Sequence, residues 1–203
     1  MVLTRAGLRF AGRLWPCAIG RGGVRADKRE GDGATPVGVH RIVGCLYRPD
    51  RLARPVDWAV PIRPGDLWSD DAGHEDYNLM VRAPYPHSHE HLRRADPLYD
   101  LVLLTDWNWP YAERGRGSAI FLHQWRAPGY PTAGCVAFAR ADLRAIAGLI
   151  GYDTRLIVPE ALAGNARGAG PGPESRARPA GPAHVRPYSA AMPSVNCRRA
   201  RRA

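Results

Sequence analysis

Tyr99-Asp100-Leu101-Val102-Leu103-Leu104-Thr105-Asp106-Trp107 and Ser118-Ala119-Ile120-Phe121-Leu122-His123-Gln124-Trp125 decide how this chain is read. Each carries an unbroken apolar run, Leu101 to Leu104 and Ala119 to Leu122, where a surface strand would alternate. Such runs predict strands buried on both faces, at the centre of a fold. Downstream, Cys135 to Ala139 reads as a further short strand. In 140–150, Leu143, Ile146, Ala147 and Ile150 fall on one face of a helix that Gly151 can end. Thr154 to Val158 reads as a closing strand. Upstream, Val37 to Leu46 is a strand candidate. Leu8 to Phe10 and Leu14 to Ile19 read as a hairpin around Ala11-Gly12-Arg13, with Pro16 placing its second strand at an edge. Between Tyr47 and Pro97 the chain is proline-rich and irregular, an excursion with short strands such as Trp58 to Ile62. The expected fold is mainly β, a sandwich or barrel-like body over residues 1–159 with one late helix. Residues 160–203, rich in Gly, Pro, Ala and Arg, read as a disordered tail.

Composition excludes several functions. With 203 residues, 45% of them hydrophobic, one domain with a real core is expected, and neither disulfides nor a structural metal is needed to hold it. Lys28 is the only lysine among 29 basic residues and is followed by Arg29, so no phosphate-binding Gly-Lys-Ser/Thr triplet exists. Arg25 and Pro36 occupy the third position of any G-x-G-x-x-G frame, and Ser118 lacks the G-x-S-x-G frame of a serine hydrolase. The net charge of +10 sits largely in the tail, which holds eight arginines against Glu160 and Glu174. The body is nearly balanced, and no nucleic-acid partner is expected. No apolar run is long enough to span a membrane and no signal peptide is visible. The four cysteines, Cys17, Cys45, Cys135 and Cys197, form no C-x-x-C pair, so no disulfide framework is expected.

Two residues suggest chemistry. His123 ends a buried strand, and Cys135 follows 12 residues later, directly after Gly134. An imidazole that takes a thiol proton makes a nucleophile, and a glycine beside it lets backbone N–H groups approach an oxyanion. By spacing alone the pair fits a small buried hydrophobe and a satisfied core histidine somewhat better than a catalytic pair. His87, His89 and His91 alternate as a strand-borne metal site would, but Pro84 and Pro86 argue against a central strand, and no metal or other cofactor is expected. Trp107, Trp109 and Trp125 fit either a groove for sugar or peptide, or buried packing.

Lys28, Gly31, Asp32, Thr35, Pro36 and Gly38, followed by His123 and then Thr132, Gly134 and Cys135, keep an order and separation that resemble the L,D-transpeptidase (YkuD-like) catalytic domain over roughly residues 2–158. The resemblance implies that Cys135 attacks a carbonyl of a peptidoglycan stem peptide with His123 as base. A terminal D-residue leaves, and an amine of a second stem peptide resolves the thioester. It implies backbone donors near Gly134 and Cys135, a substrate-side place for Thr132, and an enzyme of the bacterial cell envelope, with the cytoplasm as the alternative because no signal peptide is visible; a monomer is expected. The segment 31–38 reads as scaffold, with Asp32 as a possible turn cap. The chain departs from many members at Ala133, where they carry His, at Ala137, where they carry Arg or Asn, and at Gln124, where Gly often follows the histidine. Arg126, Arg140 and Arg94 are the candidates to hold a substrate carboxylate. The excursion resembles an Arg- and Trp-rich subgroup in which Ser88, Glu90, Arg94, Tyr99 and Asp100 have counterparts. Resolution of the same thioester by water would make an L,D-carboxypeptidase. A peptidoglycan-binding module without catalysis is the reading from another class.

Overall fold

A computed structural model describes residues 1–151 and 154–163. The chain opens with β1 (Val2–Thr4), β2 (Gly7–Phe10), β3 (Arg13–Trp15) and β4 (Cys17–Ala18). A two-stranded parallel ribbon, β5 (Val24–Arg25) and β6 (Thr35–Pro36), precedes the long β7 (Gly38–Tyr47). The excursion holds β8 (Val60–Pro61), β9 (Asp66–Ser69), β10 (Met80–Arg82) and β11 (His89–His91), of which β10, β9 and β11 form a small antiparallel sheet in that order. Then come β12 (Leu101–Thr105), β13 (Phe121–Gln124), β14 (Val136–Phe138), the helix α1 (Arg140–Leu149) and β15 (Arg155–Val158).

The large sheet runs β3-β2-β1-β15-β7-β12-β13-β14-β4, with β8 added alongside β7. Its two outermost strands, β3 and β4, are consecutive in the chain and separated by Pro16 alone. The sheet therefore curls until its edges nearly meet, as a barrel-like body. The expected second strand over Leu14 to Ile19 is thus two strands on opposite edges. Pro16 has no N–H for a ladder and breaks it there.

The unbroken apolar runs lie where burial on both faces is needed. Leu101, Leu103, Leu122, Val136 and Phe138 join one core cluster, on the side covered by α1. Val102, Phe121 and Cys135 join a second cluster with Trp68, Leu92 and Tyr99 of the excursion and its end. On α1, Leu143, Ile146 and Ala147 are buried, and Ile150 follows them into the core as the chain turns extended, one residue before Gly151. Burial of each larger side chain is worth roughly 2 kcal/mol. Glu160–Leu162 form a 3-10 turn, and Leu162 and Ala163 pack against the main core, so ordered packing continues past residue 159. The remainder of the tail, with Cys197, lies outside the described residues.

Candidate active site

Strand register places the two candidate residues on one face. β13 and β14 are parallel, with Leu122 opposite Val136 and His123 opposite Ala137. Side chains alternate along a strand, so Leu122 and Val136 enter the α1-side core, while His123 and Cys135 project to the other face. There they line one cavity of about 380 Å³ with Lys28, Glu30, Asp70, Glu90, Arg94 and Tyr99. Trp125, Arg126, Tyr130, Thr132 and Ala133 line it as well. Cys45, by contrast, is a buried thiol packed within the main core.

The turn before Cys135 is held from three sides. Thr132 Oγ1 donates to the Cys135 carbonyl at 2.6 Å and accepts the Gly134 N–H at 3.1 Å. That N–H, expected to face an oxyanion, therefore already has a partner. The buried Thr35 hydroxyl donates to the Gly134 carbonyl at 2.8 Å and accepts the Gly20 N–H at 3.0 Å. The Thr-Pro segment is thus a brace on the cysteine loop. Gly134 has φ +144°, and a Cβ there would stand 2.9 Å from the Ala34 carbonyl oxygen, so only glycine allows the close approach. Asp32 is more than a turn cap. Its carboxylate accepts the Lys28 ammonium at 2.7 Å and the N–H groups of Arg29 and Ala34 at 2.8 Å. Burial alone would raise the Asp32 carboxyl, but Lys28 and these two N–H groups outweigh it and hold it below its ordinary range.

His123 is oriented by the backbone. Its Nδ1 lies 2.7 Å from the Gln124 carbonyl, which can only accept, so Nδ1 carries the proton and Nε2 keeps a free lone pair. The ring packs edge-on to Tyr99 at 5.2 Å, and the Tyr99 hydroxyl donates to Glu90. A main-chain oxygen thus orients the ring. Burial pushes the imidazole down to about 4, against the opposing pull of the Gln124 carbonyl. Burial, reinforced by the Glu90 charge, pushes the Cys135 thiol up to about 12. The resting pair is therefore neutral thiol and neutral imidazole, not an ion pair. The thiol donates to the Ala119 carbonyl at 3.1 Å, and the Phe121 N–H donates to Sγ at 3.4 Å.

One consequence is testable without substrate. Alkylation of Cys135 by iodoacetamide, followed by peptide mapping, should keep rising beyond pH 10, whereas a free cysteine levels off near its pKa of about 8.5. A plateau at the ordinary value would contradict the buried neutral thiol.

Of the three arginine candidates, two reach the cavity. Arg94 lines it but is held by Asp96 through two bonds of 2.8 and 2.7 Å. Arg126 lines it over the Tyr130 ring and has no carboxylate partner among the described residues. Arg140 lies outside the cavity lining, on α1, donating to the Arg51 carbonyl and 3.8 Å from Asp100. Asp100 itself is buried against Arg51, and Ser88 is exposed, so neither of these subgroup residues faces the cavity. Trp125 lines this cavity, whereas Trp107 and Trp109 line a separate surface groove. His87 stacks on His74 at 3.9 Å, outside the strand that holds His89 and His91. Among the described residues no group of three His, Cys, Asp or Glu side chains is arranged to hold a metal, and no helix is long and apolar enough to cross a membrane. Sequence reasoning missed Lys28, Glu30 and Asp70 as cavity residues, because they come from loops distant in sequence and belong to no strand pattern.

Against known families, the chain matches the L,D-transpeptidase catalytic domain (YkuD) over residues 4–158, and it belongs to that family. No curated protein matches it.

Proposed function

We propose that this protein is a cysteine-dependent L,D-transpeptidase acting on peptidoglycan stem peptides. The observation that carries the reading is the shared cavity. It brings a thiol and an imidazole with a free Nε2 lone pair to the same space, with Arg126, which forms no salt bridge among the described residues, at its wall. Cys135 Sγ attacks the carbonyl carbon that precedes a terminal D-residue while its proton passes to His123 Nε2. The carbon–nitrogen bond then breaks, the proton moves from Nε2 to the leaving amine, and a thioester remains. An amine of a second stem peptide attacks this thioester, gives a proton to Nε2, and leaves the crosslink and the free thiol. The Cys135 N–H meets the developing oxyanion. Arg126 pairs with the carboxylate of the departing D-residue. Activity on the wall places the protein in the bacterial envelope.

A specific observation favours water as an alternative acceptor. The thiol is only 7% exposed, and a cavity of 380 Å³ is at the small end of the roughly 300–1,000 Å³ usual for ligand pockets. A donor peptide end fills such a space, and water reaches the thioester more easily than a second stem peptide does. That outcome is L,D-carboxypeptidation by the same residues.

Incubation with a disaccharide tetrapeptide, followed by intact-mass analysis of protein and products, tests both. The expected result is a peptide dimer together with an acyl adduct confined to Cys135. Equal release of D-residue and tripeptide without dimer would establish the carboxypeptidase instead. Binding without any product would sink both and leave a binding module.

A further inference from the structure

Asn78, in the turn between β9 and β10, is buried to 2% exposure, and its whole amide is engaged. Its Oδ1 accepts the Trp68 indole N–H at 2.9 Å and the Ala119 N–H at 2.9 Å. Its Nδ2 donates to the carbonyls of Trp107 at 3.1 Å and Asn108 at 2.7 Å. Three residues of this knot are left-handed, with φ of +61° at Asn78, +51° at Asn108 and +52° at Ala119. Asparagine tolerates that conformation through its own side-chain bonds, but alanine has none and must be held from outside. Ala119 is held through its N–H by Asn78, and its carbonyl is the acceptor of the Cys135 thiol. Phe121, two residues on, supplies the N–H that meets Sγ. The thiol thus hangs on two main-chain groups whose approach is set by one amide side chain from the excursion.

We propose that Asn78 is a positioning residue for the nucleophile. By locking Ala119 in the left-handed conformation, it aims the carbonyl that holds the Cys135 thiol. The inference rests on Cys135 being the nucleophile of the proposed reaction. It also gives the proline-rich excursion a role, since β9 and the turn after it bring both Trp68 and Asn78 to the active-site strand. The Ala119 bond favours the S–H form and the Phe121 bond the thiolate, so releasing Ala119 makes deprotonation easier while it spoils the aim of the attack.

Three variants of the full chain separate this from a purely structural role. Asn78→Gly keeps the left-handed backbone without strain and removes only the amide. Asn78→Asp keeps an oxygen for Trp68 and Ala119 but turns another oxygen against the carbonyls of Trp107 and Asn108. Ile146→Ala lowers stability from the other core cluster, away from the site. Melting temperature, the pH profile of Cys135 alkylation, and kcat and KM on a disaccharide tetrapeptide are measured for each. For Asn78→Gly, kcat should fall about 100-fold with KM within about threefold of wild type. Its alkylation profile should move to lower pH by about one unit. Asn78→Asp, even where it melts lower, should be the more active of the two, and Ile146→Ala should change neither readout. Activity that simply follows melting temperature across the variants, or an unmoved alkylation profile in Asn78→Gly, would overturn the proposal. If Asn78→Gly does not fold, Asn78→Ala, which also removes the acceptor of the Ala119 N–H, is compared with Ile146→Ala at matched stability. A lower kcat and a shifted alkylation profile in Asn78→Ala uphold the positioning role, and values equal to those of Ile146→Ala refute it. The alkylation arm needs no substrate, so a wild-type protein inert toward peptide refutes the proposed reaction while Asn78 is still tested.

Discussion

Cys135→Ala should leave a folded protein without turnover, a fall of about four orders of magnitude or more, because the bond-forming atom of the proposed reaction is gone while the cavity and His123 remain. The substitution removes one weakly hydrogen-bonded sulfur from a site with 7% exposure and introduces no strain, so melting temperature should change little beside activity. His123→Ala should cost less, about 10² to 10⁴-fold, the range for a lost general base. The wild-type pH profile carries the same information. A protonated imidazole cannot accept the thiol proton, and burial holds His123 down to about 4. The acid limb of kcat/KM should therefore lie near pH 4, well below the ordinary histidine value of 6.5. Release of the terminal residue, followed by mass from pH 3 to 9, checks it. A limb at the ordinary value would mean that His123 works exposed to water and not in its buried position.

The second large effect concerns stability. The Lys28 side chain is 2% exposed and its ammonium is paired with Asp32 at 2.7 Å. Asp32→Asn keeps the size and leaves that ammonium buried without its counter-charge, a change that typically costs about 3–5 kcal/mol. For a domain of this size each kcal/mol moves the midpoint by about 2–4 °C, so calorimetry should show a loss of about 10 °C. The pH dependence follows from the lowered Asp32 carboxyl. Its contribution is complete above the ordinary value of 3.8 and is lost as pH falls through the lower folded value. Wild type and variant should therefore differ by a constant amount at neutral pH and converge under strong acid. A difference unaffected by acid would show that the Asp32 charge contributes nothing to it.

These two outcomes bear on different parts of the molecule, and the parts were unequally legible. The strands over 101–105 and 121–124 and the helix over 140–149 announce themselves, because their apolar periodicity is the direct imprint of the surfaces they bury. Leu101 and Leu103 facing one core and Val102 the other is what an unbroken run means. The division of the first hairpin at Pro16 was not legible. Both segments are short and apolar, and only closure of the sheet sends them to opposite edges. Of the arginine candidates, Arg140 lies apart from the cavity lining for a similar reason. It precedes the helix-forming apolar positions in the chain, yet the helix start points it to Asp100 and away from the cavity.

Residue types in order, Lys28 to Gly38, His123, then Thr132 to Cys135, were enough to determine the family and to single out Cys135 and His123 as the candidates for nucleophile and base, because each short segment must keep its own turn chemistry wherever it is placed. What faces the thiol was decided only in three dimensions. Glu90, Tyr99, Lys28 and Asp70 meet there through loops whose separation in sequence carries no information about distance in space. Likewise nothing local to Ala119 marks it as left-handed. Its N–H donates to the Asn78 side-chain oxygen, and a bond between segments so far apart exists only once the excursion has packed against the sheet.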